Sequence, residues 1–213
     1  MHIGVDLDNT IIDYDRVFGP VGVALGMLQE GSERLSKLEV RAHLRARPGG
    51  EETWMRLQGQ VYGAYLDRAT PFAGVEDCLR RARTRGAEIS IVSHKTRFGH
   101  HDPARVKLWD AALDWLRDRG FFSDGAMGLD PTRVHFAETR DSKVGRIKEI
   151  GCDVFIDDLP EVLQHPDFPV GTQRIWFANG TRDAVGAGLE IFDTWAEIAA
   201  RLESFLSLTG DRR

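Results

Sequence analysis

The stretch HIGVDLDNT, residues 2–10, contains the first predicted strand of this chain and the first of its polar motifs. The run from His2 to Leu7 is mostly apolar with β-branched side chains, which is typical of a buried strand in a parallel sheet. Two carboxylates, Asp6 and Asp8, lie one residue apart where this run ends. Polar residues at the end of such a strand mark the edge where α/β proteins bind ligands. The stretch therefore predicts a strand with a polar site at its end.

The rest of the chain alternates between predicted strands and predicted helices. Apolar runs predict strands at 88–92, 134–136, 153–156 and 174–177. Helical periodicity predicts helices at 75–85, 141–150 and 192–206, and a long helix with Asp102 as its N-cap and Pro103 in its first turn. This alternation predicts an α/β fold with a Rossmann-like open parallel sheet. Arg212 and Arg213, at the chain end, are expected to fray.

An insertion with a helical pattern separates the first strand from the second. Ser32 is the predicted N-cap of one helix, and residues 54–65 keep the helical spacing of another. We therefore predict an α/β core formed by residues 1–13 and 70–213, with a helical domain at 14–69.

The composition excludes some function classes. The chain carries 28 Lys and Arg against 33 Asp and Glu, a formal net charge of −5, whereas a binder of nucleic acid polymers needs a net basic surface. It shows no leader pattern and no apolar run of membrane-spanning length, so we expect a cytoplasmic protein with no membrane segment. Cys78 and Cys152 lie in contexts that indicate packing rather than catalysis.

Four polar motifs follow one another at predicted strand ends and at one helix start. They are the pair Asp6 and Asp8, then Ser93, then Lys143, then the pair Asp157 and Asp158. Taken alone, an Asp-x-Asp-x-Thr segment is an ordinary polar turn. The combination and its order resemble the four motifs of the haloacid dehalogenase superfamily, over residues 3–160.

The resemblance implies a phosphatase that works through an aspartyl phosphate. Asp6 would attack phosphorus as the nucleophile, and Asp8 would act first as an acid and then as a base. Ser93 would bind a phosphoryl oxygen, and Lys143 would offset charge in the transition state. Asp8 also separates this chain from the dehalogenases of the superfamily, which lack an acid at that position. The predicted substrate-binding set is Thr10, Ser93, His94, Lys95 and Lys143.

The same resemblance implies a Mg²⁺ site among the carboxylates. A phosphate beside several carboxylates needs a cation between them, and Mg²⁺ binds few protein oxygens together with a substrate phosphate. The implied ligands are the Asp6 carboxylate, the Asp8 backbone carbonyl and one carboxylate of the acidic pair. We expect Asp158 as the direct ligand with Asp157 behind it, although the two could be exchanged.

The helical insertion lies where the superfamily places a helical C1-type cap, and its layout resembles that of the 5'(3')-deoxyribonucleotidases. A cap implies a small phosphorylated metabolite, such as a nucleotide or a sugar phosphate. For the protein itself we expect either a monomer or a homodimer. The basic loop at 94–101 could bind a second anionic or polar part of the substrate, or it could be solvated. Zinc binding by its three histidines is an alternative that no cysteine supports.

Two further sets of residues have a functional and a structural interpretation. The basic run at 41–47 could contact substrate or form a solvated helix face. Trp54 and Tyr62 could stack on a base or sugar, or pack the core of the insertion.

Two other classes of protein are alternatives to the enzyme. A receiver-like signalling module also gathers an Asp pair, a hydroxyl and a lysine around Mg²⁺, but its phosphorylated Asp follows a middle strand. A non-catalytic phosphate-binding protein would keep the fold without turnover. The presence of Asp8 argues against it, because loss of this acid is the simplest way to disable hydrolysis.

Overall fold

The computed structural model describes residues 1–102, 104–124, 127–181, 186 and 188–210, with side chains through residue 207. Pro103, predicted in the first turn of a helix, lies outside the described residues. The same is true of Arg212 and Arg213, which were expected to fray.

The predicted α/β fold is confirmed. Six strands form one sheet in the order β5-β4-β1-β6-β7-β8, and every neighbouring pair in it is parallel, while β2 and β3 pair separately. Within the described residues the strands are β1 (His2–Val5), β2 (Ile12–Asp13), β3 (Thr70–Pro71), β4 (Glu88–His94), β5 (Val134–Ala137), β6 (Val154–Asp157), β7 (Gln173–Phe177) and β8 (Glu190–Phe192).

Helices connect most of these strands. In chain order they are α1 (Phe18–Ala24), α2 (Lys37–Arg45), α3 (Gly50–Tyr62), α4 (Val75–Thr84), α5 (Leu108–Asp118), α6 (Arg140–Ile150), α7 (Pro160–Leu163) and α8 (Trp195–Gly210). Short 3₁₀ helices lie at Leu66–Arg68 and Pro131–Arg133. None of the helices in the described part of the chain is long and apolar enough to cross a membrane.

β1 lies inside the sheet, and its sequence explains why. Ile3 and Val5 are fully buried, as expected for a parallel strand that is covered on both faces. Gly4 has no side chain between them, and a Cβ there would lie 2.4 Å from the Phe155 ring and 2.7 Å from Cys152 Sγ. The missing side chain is what lets β6 pack this closely against β1.

The order in which the chain adds strands to the sheet reverses at β1. From β1 the chain builds outward through β4 and β5 on one side, and then returns to place β6 on the other side of β1. Open α/β sheets bind ligands in the crevice that such a switch point leaves at the carboxyl ends of the central strands. Asp6 follows β1 and donates its amide to Ile156 O at 2.9 Å, one residue before Asp157. The topology thus brings the first and last motifs together.

The chain divides into two compact units. The α/β unit contains Met1–Ile11, Pro71–His94 and Gly120–Arg213, and the helical unit contains Ile12–Thr70 and Lys95–Arg119. The α/β core predicted from the sequence included the second of these helical segments.

Side-chain contacts explain why Lys95–Arg119 clusters with the helices. Trp115 Nε1 donates to Ala69 O at 3.1 Å, and Arg119 Nη2 donates to the same oxygen at 2.8 Å. Leu108 and Leu116 of α5 are buried as well. An amphipathic helix has the same periodicity whichever unit covers its apolar face, so the sequence pattern did not distinguish the two assignments.

The predicted N-cap role of Asp102 is wrong, because α5 begins only at Leu108 and Lys107 is its N-cap. The Asp102 carboxylate instead accepts hydrogen bonds from Gln60 Nε2 at 2.7 Å and from two backbone amides, those of Ala104 and Val106, at 3.1 Å. An aspartate that follows a turn satisfies local amides as readily as it caps a helix. It therefore joins this loop to α3.

Two other element boundaries differ from the prediction. Ser36, not Ser32, caps α2, through a capping box in which Ser36 Oγ accepts from the Glu39 amide and Glu39 accepts from the Ser36 amide. At the other end of the chain, residues 190–192 form β8 and the closing helix begins only at Trp195. An edge strand of three residues is too short for periodicity to detect.

Candidate active site

Asp6 lies just beyond β1 and is 4% exposed. Its Oδ1 lies 2.6 Å from Lys143 Nζ, and its Oδ2 accepts a hydrogen bond from Thr10 Oγ1 at 3.3 Å. Burial raises the pKa of Asp6 to about 7; the Lys143 ammonium opposes the rise, and the charges of Asp157 and Asp8 add to it. The ionised form of Asp6 therefore needs more positive charge than Lys143 alone provides.

Lys143 extends from the first turns of α6 and is fully buried. Its Nζ lies 2.6 Å from Asp6 Oδ1 and 2.6 Å from Asp157 Oδ2. Burial opposes the charged form, but the two carboxylates outweigh it and raise the pKa of Lys143 above its ordinary value. The side chain is therefore an ammonium held between two acids, and not a solvated lysine at a helix end.

The first turn of α6 is fixed by a reciprocal cap. Thr139 Oγ1 accepts from the Ser142 amide at 3.1 Å, and Ser142 Oγ accepts from the Thr139 amide at 3.2 Å. This arrangement satisfies amides that the helix leaves unpaired, and it sets the position from which Lys143 extends. Thr139 was not predicted as a cap, because serine replaces the usual Glu or Gln three residues after it.

Asp157 and Asp158 bring two more carboxylates to this edge. Asp157 is completely buried, with Oδ2 beside Lys143 and Oδ1 accepting from the Leu159 amide at 3.0 Å. Asp158 is partly exposed; its amide donates to Thr10 Oγ1 at 3.1 Å. The two neighbours thus differ in burial, since Asp157 is enclosed within the α/β unit and Asp158 is not.

A divalent cation fits this group of acids. Asp6, Asp157 and Asp158 each offer a carboxylate oxygen, and these oxygens lie within 4.8 Å of one another. Three carboxylates against the single Lys143 ammonium leave an excess of negative charge that a cation would balance. An all-oxygen donor set suits Mg²⁺ better than the softer metals that favour nitrogen and sulfur.

Thr10 joins the two acidic segments. Its hydroxyl donates to Asp6 and accepts from the Asp158 amide, while its carbonyl accepts from Trp195 Nε1 at 2.9 Å. Asn9, just before it, has φ of +62°, a left-handed value that Asn tolerates better than most residues. The turn after β1 is therefore shaped so that Thr10, which is 0% exposed, holds the acids in position.

Ser93 and Asp8 are buried at the same edge of the α/β unit. Ser93 is 0% exposed, and its Oγ has no hydrogen-bond partner among the described residues. A buried hydroxyl without a partner costs about 1–3 kcal/mol, so a ligand oxygen that satisfied it would bind favourably. Asp8, 9% exposed, follows Asp6 by two residues in the turn that begins at the end of β1.

The other two members of the predicted substrate-binding set have different surroundings. His94 ends β4 in the α/β unit; its side chain is exposed and its Nε2 lies 3.2 Å from Glu138 O. Lys95 belongs to the helical unit, is 3% exposed, and places Nζ 4.7 Å from the centre of the Tyr62 ring. Their role in substrate binding stays a prediction.

The structure shows the surroundings of the residues for which the sequence left two interpretations open. Trp54 is buried and stacks on Phe18 with ring centres 5.0 Å apart, and Tyr62 packs 4.6 Å from the Tyr14 ring. The basic side chains at 41, 43, 45 and 47 are exposed on or just after α2. Within the described residues, the group suited to a metal consists of aspartates and includes none of the three histidines.

Both cysteines are buried in the α/β unit. Burial raises the pKa of the Cys78 and Cys152 thiols to about 12, so both stay protonated at neutral pH. A nucleophilic cysteine needs the thiolate, which these surroundings disfavour.

No family model and no curated protein matches the sequence, but solved structures match the fold. A HAD-superfamily hydrolase from Ehrlichia chaffeensis is 12% identical, with 96% of this chain and 97% of that chain covered and a TM-score of 0.58. A HAD family hydrolase from Deinococcus radiodurans, with bound phosphate and sodium, is 17% identical, with 96% of each chain covered and a TM-score of 0.57. A dehalogenase with an intermediate complex is 12% identical, with 94% and 96% covered and a TM-score of 0.55.

These similarities show that the chain has the fold of the haloacid dehalogenase superfamily hydrolases. The match extends over nearly the whole length of each chain. Because one fold carries several reactions and these structures include a dehalogenase, the reaction has to be argued from the residues of the site.

Proposed function

We propose that this protein is a Mg²⁺-dependent phosphatase of the haloacid dehalogenase superfamily that hydrolyses a small phosphomonoester through an aspartyl phosphate. The observation that carries the proposal is the buried Lys143 ammonium, which lies 2.6 Å from both Asp6 and Asp157. This arrangement supports the proposal, because Asp6 would then be the nucleophile beside a fixed positive charge, with a cation bound at the same sheet edge. Phosphoryl transfer needs positioned charge of this kind more than any other contribution.

In the proposed reaction, an Asp6 carboxylate oxygen attacks phosphorus, and the bond from phosphorus to the ester oxygen breaks. Asp8 gives its proton to the departing alkoxide. Water then attacks the phosphorus of the aspartyl phosphate while Asp8 takes a proton from that water. The bond from phosphorus to Asp6 breaks, which frees inorganic phosphate and returns both acids to their initial states.

The metal would be held by the carboxylates of Asp6 and Asp158 and the backbone carbonyl of Asp8. When bound, Mg²⁺ would neutralise the negative charge that otherwise keeps a phosphate away from these acids. We propose Asp158 as the direct ligand because it is partly exposed, whereas Asp157 is completely buried and its carboxylate contacts Lys143 and the Leu159 amide.

Ser93 and Lys143 would bind the phosphoryl group itself. Ser93 Oγ, which has no hydrogen-bond partner among the described residues, would donate to a phosphoryl oxygen, and Lys143 would balance the charge that the oxygens gain in the transition state. Thr10 would act indirectly, because its hydroxyl bonds to both the Asp6 carboxylate and the Asp158 amide and so fixes their relative position.

Phosphate ester hydrolysis is favoured over dehalogenation by Asp8. An alkoxide is a poor leaving group and needs a proton, whereas a halide leaves without one. A carboxyl group two residues after the nucleophile meets that need, which the departure of a halide does not impose.

The substrate side of the proposal rests on the sequence. The helical insertion would act as a C1-type cap in a layout like that of the deoxyribonucleotidases, and the substrate would be a nucleotide, a sugar phosphate or a similar small metabolite. His94 and Lys95 follow Ser93 directly in the chain, so we include both in the substrate-binding set. The protein would act in the cytoplasm as a monomer or a homodimer.

The proposal is tested by measuring phosphate release from p-nitrophenyl phosphate and a panel of phosphorylated metabolites, with Mg²⁺ and with a chelator. We expect Mg²⁺-dependent turnover that Asp6→Asn reduces by at least about a thousandfold, because the amide is not a nucleophile. Asp118→Asn, on the exposed side of α5, is the matched control and should keep wild-type turnover. Full turnover in Asp6→Asn would exclude the nucleophile, and an aspartyl phosphate lasting hours would favour the receiver-like module.

A further inference from the structure

His94 has an unusual position among the polar residues of the α/β unit. It ends β4 directly after Ser93, yet its side chain is exposed, whereas Asp6, Ser93, Lys143 and Asp157 are buried. Its imidazole is close enough to Lys143 and Asp157 for both charges to affect its ionisation. It is therefore an exposed group next to the proposed phosphate site, suited to contact the part of a substrate that varies between esters.

The hydrogen bond of His94 determines which ring nitrogen carries the proton. Nε2 lies 3.2 Å from the backbone oxygen of Glu138. A carbonyl oxygen can only accept a hydrogen bond, so Nε2 must be the donor. In the neutral imidazole Nδ1 then has a lone pair and no hydrogen, and Nδ1 has no partner among the described residues.

The surroundings of His94 favour this neutral form. Partial burial lowers the pKa of His94 below its ordinary value, the bond to Glu138 opposes the shift, and the charges of Lys143 and Arg140 add to it more than Asp157 offsets. Arg140 begins α6 and is exposed. A second proton on the ring would add positive charge beside two existing cations, which costs free energy.

We propose that His94 selects substrates through Nδ1, which accepts a hydrogen bond from a hydroxyl or amino group on the alcohol part of the phosphate ester. The inference rests on the proposed phosphatase function and adds a substrate class to it: a hydroxylated ester such as a sugar or polyol phosphate. It differs from the expectation that the basic loop binds a second anion, because a neutral imidazole with its lone pair outward repels an anion and attracts a donor.

The kinetic test compares two esters in one enzyme. For wild type, the ratio of kcat/KM for glucose 6-phosphate, or for the best hydroxylated ester of the panel, to that for p-nitrophenyl phosphate measures selection for hydroxyl groups. His94→Phe removes the acceptor and should lower this ratio about tenfold, the value of one hydrogen bond. His94→Asn keeps an acceptor on Cγ, where Nδ1 is attached, and should restore most of the ratio.

Arg140→Gln is the matched control, since it alters the neighbouring cation and leaves the acceptor in place. Its ratio should stay near that of wild type. The proposal is overturned if His94→Phe lowers kcat/KM equally for both esters. It is also overturned if esters with a second anionic group, such as 3-phosphoglycerate, are preferred and Arg140→Gln abolishes that preference.

A second measurement does not depend on turnover. Nitrogen NMR of ¹⁵N-histidine-labelled protein, with His94 assigned by comparison with His94→Asn, reports which ring nitrogen is protonated. We expect protonated Nε2 and bare Nδ1 at neutral pH, and a protonated Nδ1 would contradict the inference. If no ester at all is hydrolysed, the phosphatase proposal fails. If p-nitrophenyl phosphate is hydrolysed but His94→Phe leaves the ratio of the two kcat/KM values unchanged, only the present inference fails.

Discussion

Lys143 is the residue on which the charge balance of the site depends. Replacing it by Met leaves Asp6 and Asp157 buried without their shared cation. Breaking a buried ion pair in this way costs about 3–5 kcal/mol, provided that both acids are ionised. We therefore expect Lys143→Met to lower the free energy of unfolding in urea by about that amount at pH 8, and added Mg²⁺ to restore part of the loss.

Lys148→Met provides the control for this prediction. Lys148 lies in the same helix but is exposed, so its loss should change the free energy of unfolding by less than about 0.5 kcal/mol. Equal effects of the two variants would mean that Lys143 contributes only ordinary helix stability.

The raised pKa of Asp6 predicts how metal affinity depends on pH. Below about pH 7 the metal-free carboxyl holds a proton that the cation must displace. Mg²⁺ affinity, measured by calorimetry, should fall about tenfold for each pH unit below that value and level off above it.

The same shift has a second consequence, with the opposite direction in pH. Asp6 keeps its proton longer in the folded protein than in the unfolded chain. Its contribution to the stability of the metal-free protein is therefore lost as pH rises from the pKa of Asp6 in the unfolded chain, near 4, to about 7.

An Mg²⁺ affinity that does not change between pH 4 and pH 7 would contradict the raised pKa, because it would show that Asp6 is already ionised.

At the level of elements, β1 and α6 each contain a glycine, and replacing it by alanine should change the stability of the protein in opposite directions. Gly4→Ala would place a Cβ 2.4 Å from the Phe155 ring, so we expect a loss of about 1–3 kcal/mol from overpacking between β1 and β6. Gly145, exposed within α6, has open space where a Cβ would lie, with no neighbouring atom within 4 Å. Gly145→Ala should stabilise the protein by about 0.5–1 kcal/mol through helix propensity.

Thermal and urea unfolding of the two alanine variants check this pair. Both substitutions add the same methyl group, so stabilisation at both positions would contradict the packing argument for β1, and destabilisation at both would contradict the helix-propensity argument for α6.

For the whole molecule, the extent of the helical unit predicts the result of a deletion. Replacing residues 12–70 by a short Gly/Ser linker leaves α5 without the helices that share its unit. Trp115, Leu116 and the rest of the apolar side of α5 would then face water, so we expect aggregation in gel filtration.

The companion variant also replaces residues 95–119 by a linker, which removes the uncovered helix. This second protein should elute as a discrete species. If the 12–70 deletion is itself monodisperse, the apolar side of α5 is buried without residues 12–70. The helical unit would then consist of residues 12–70 alone.

The general form of the site could be predicted from sequence because its residues follow strand ends. The placement of Asp6 and Asp157 is the clearest example: each follows a buried run, and parallel strands bring their carboxyl ends to one edge. The resemblance to known motifs then added Ser93 and Lys143. By contrast, the contact between Lys143 and Asp157, the hydroxyl bridge of Thr10 and the cap made by Thr139 are side-chain geometry that spacing does not contain.

Local patterns of apolar residues were enough to predict an open parallel sheet with acids at one edge, since strand burial and strand direction follow from those patterns. The assignment of α5 to the helical unit, the burial of Lys143 between two acids and the contact of His94 Nε2 with Glu138 O became visible only after folding. Each of these depends on which surfaces meet when distant segments pack, and residues far apart in the chain do not record their future neighbours in any local pattern.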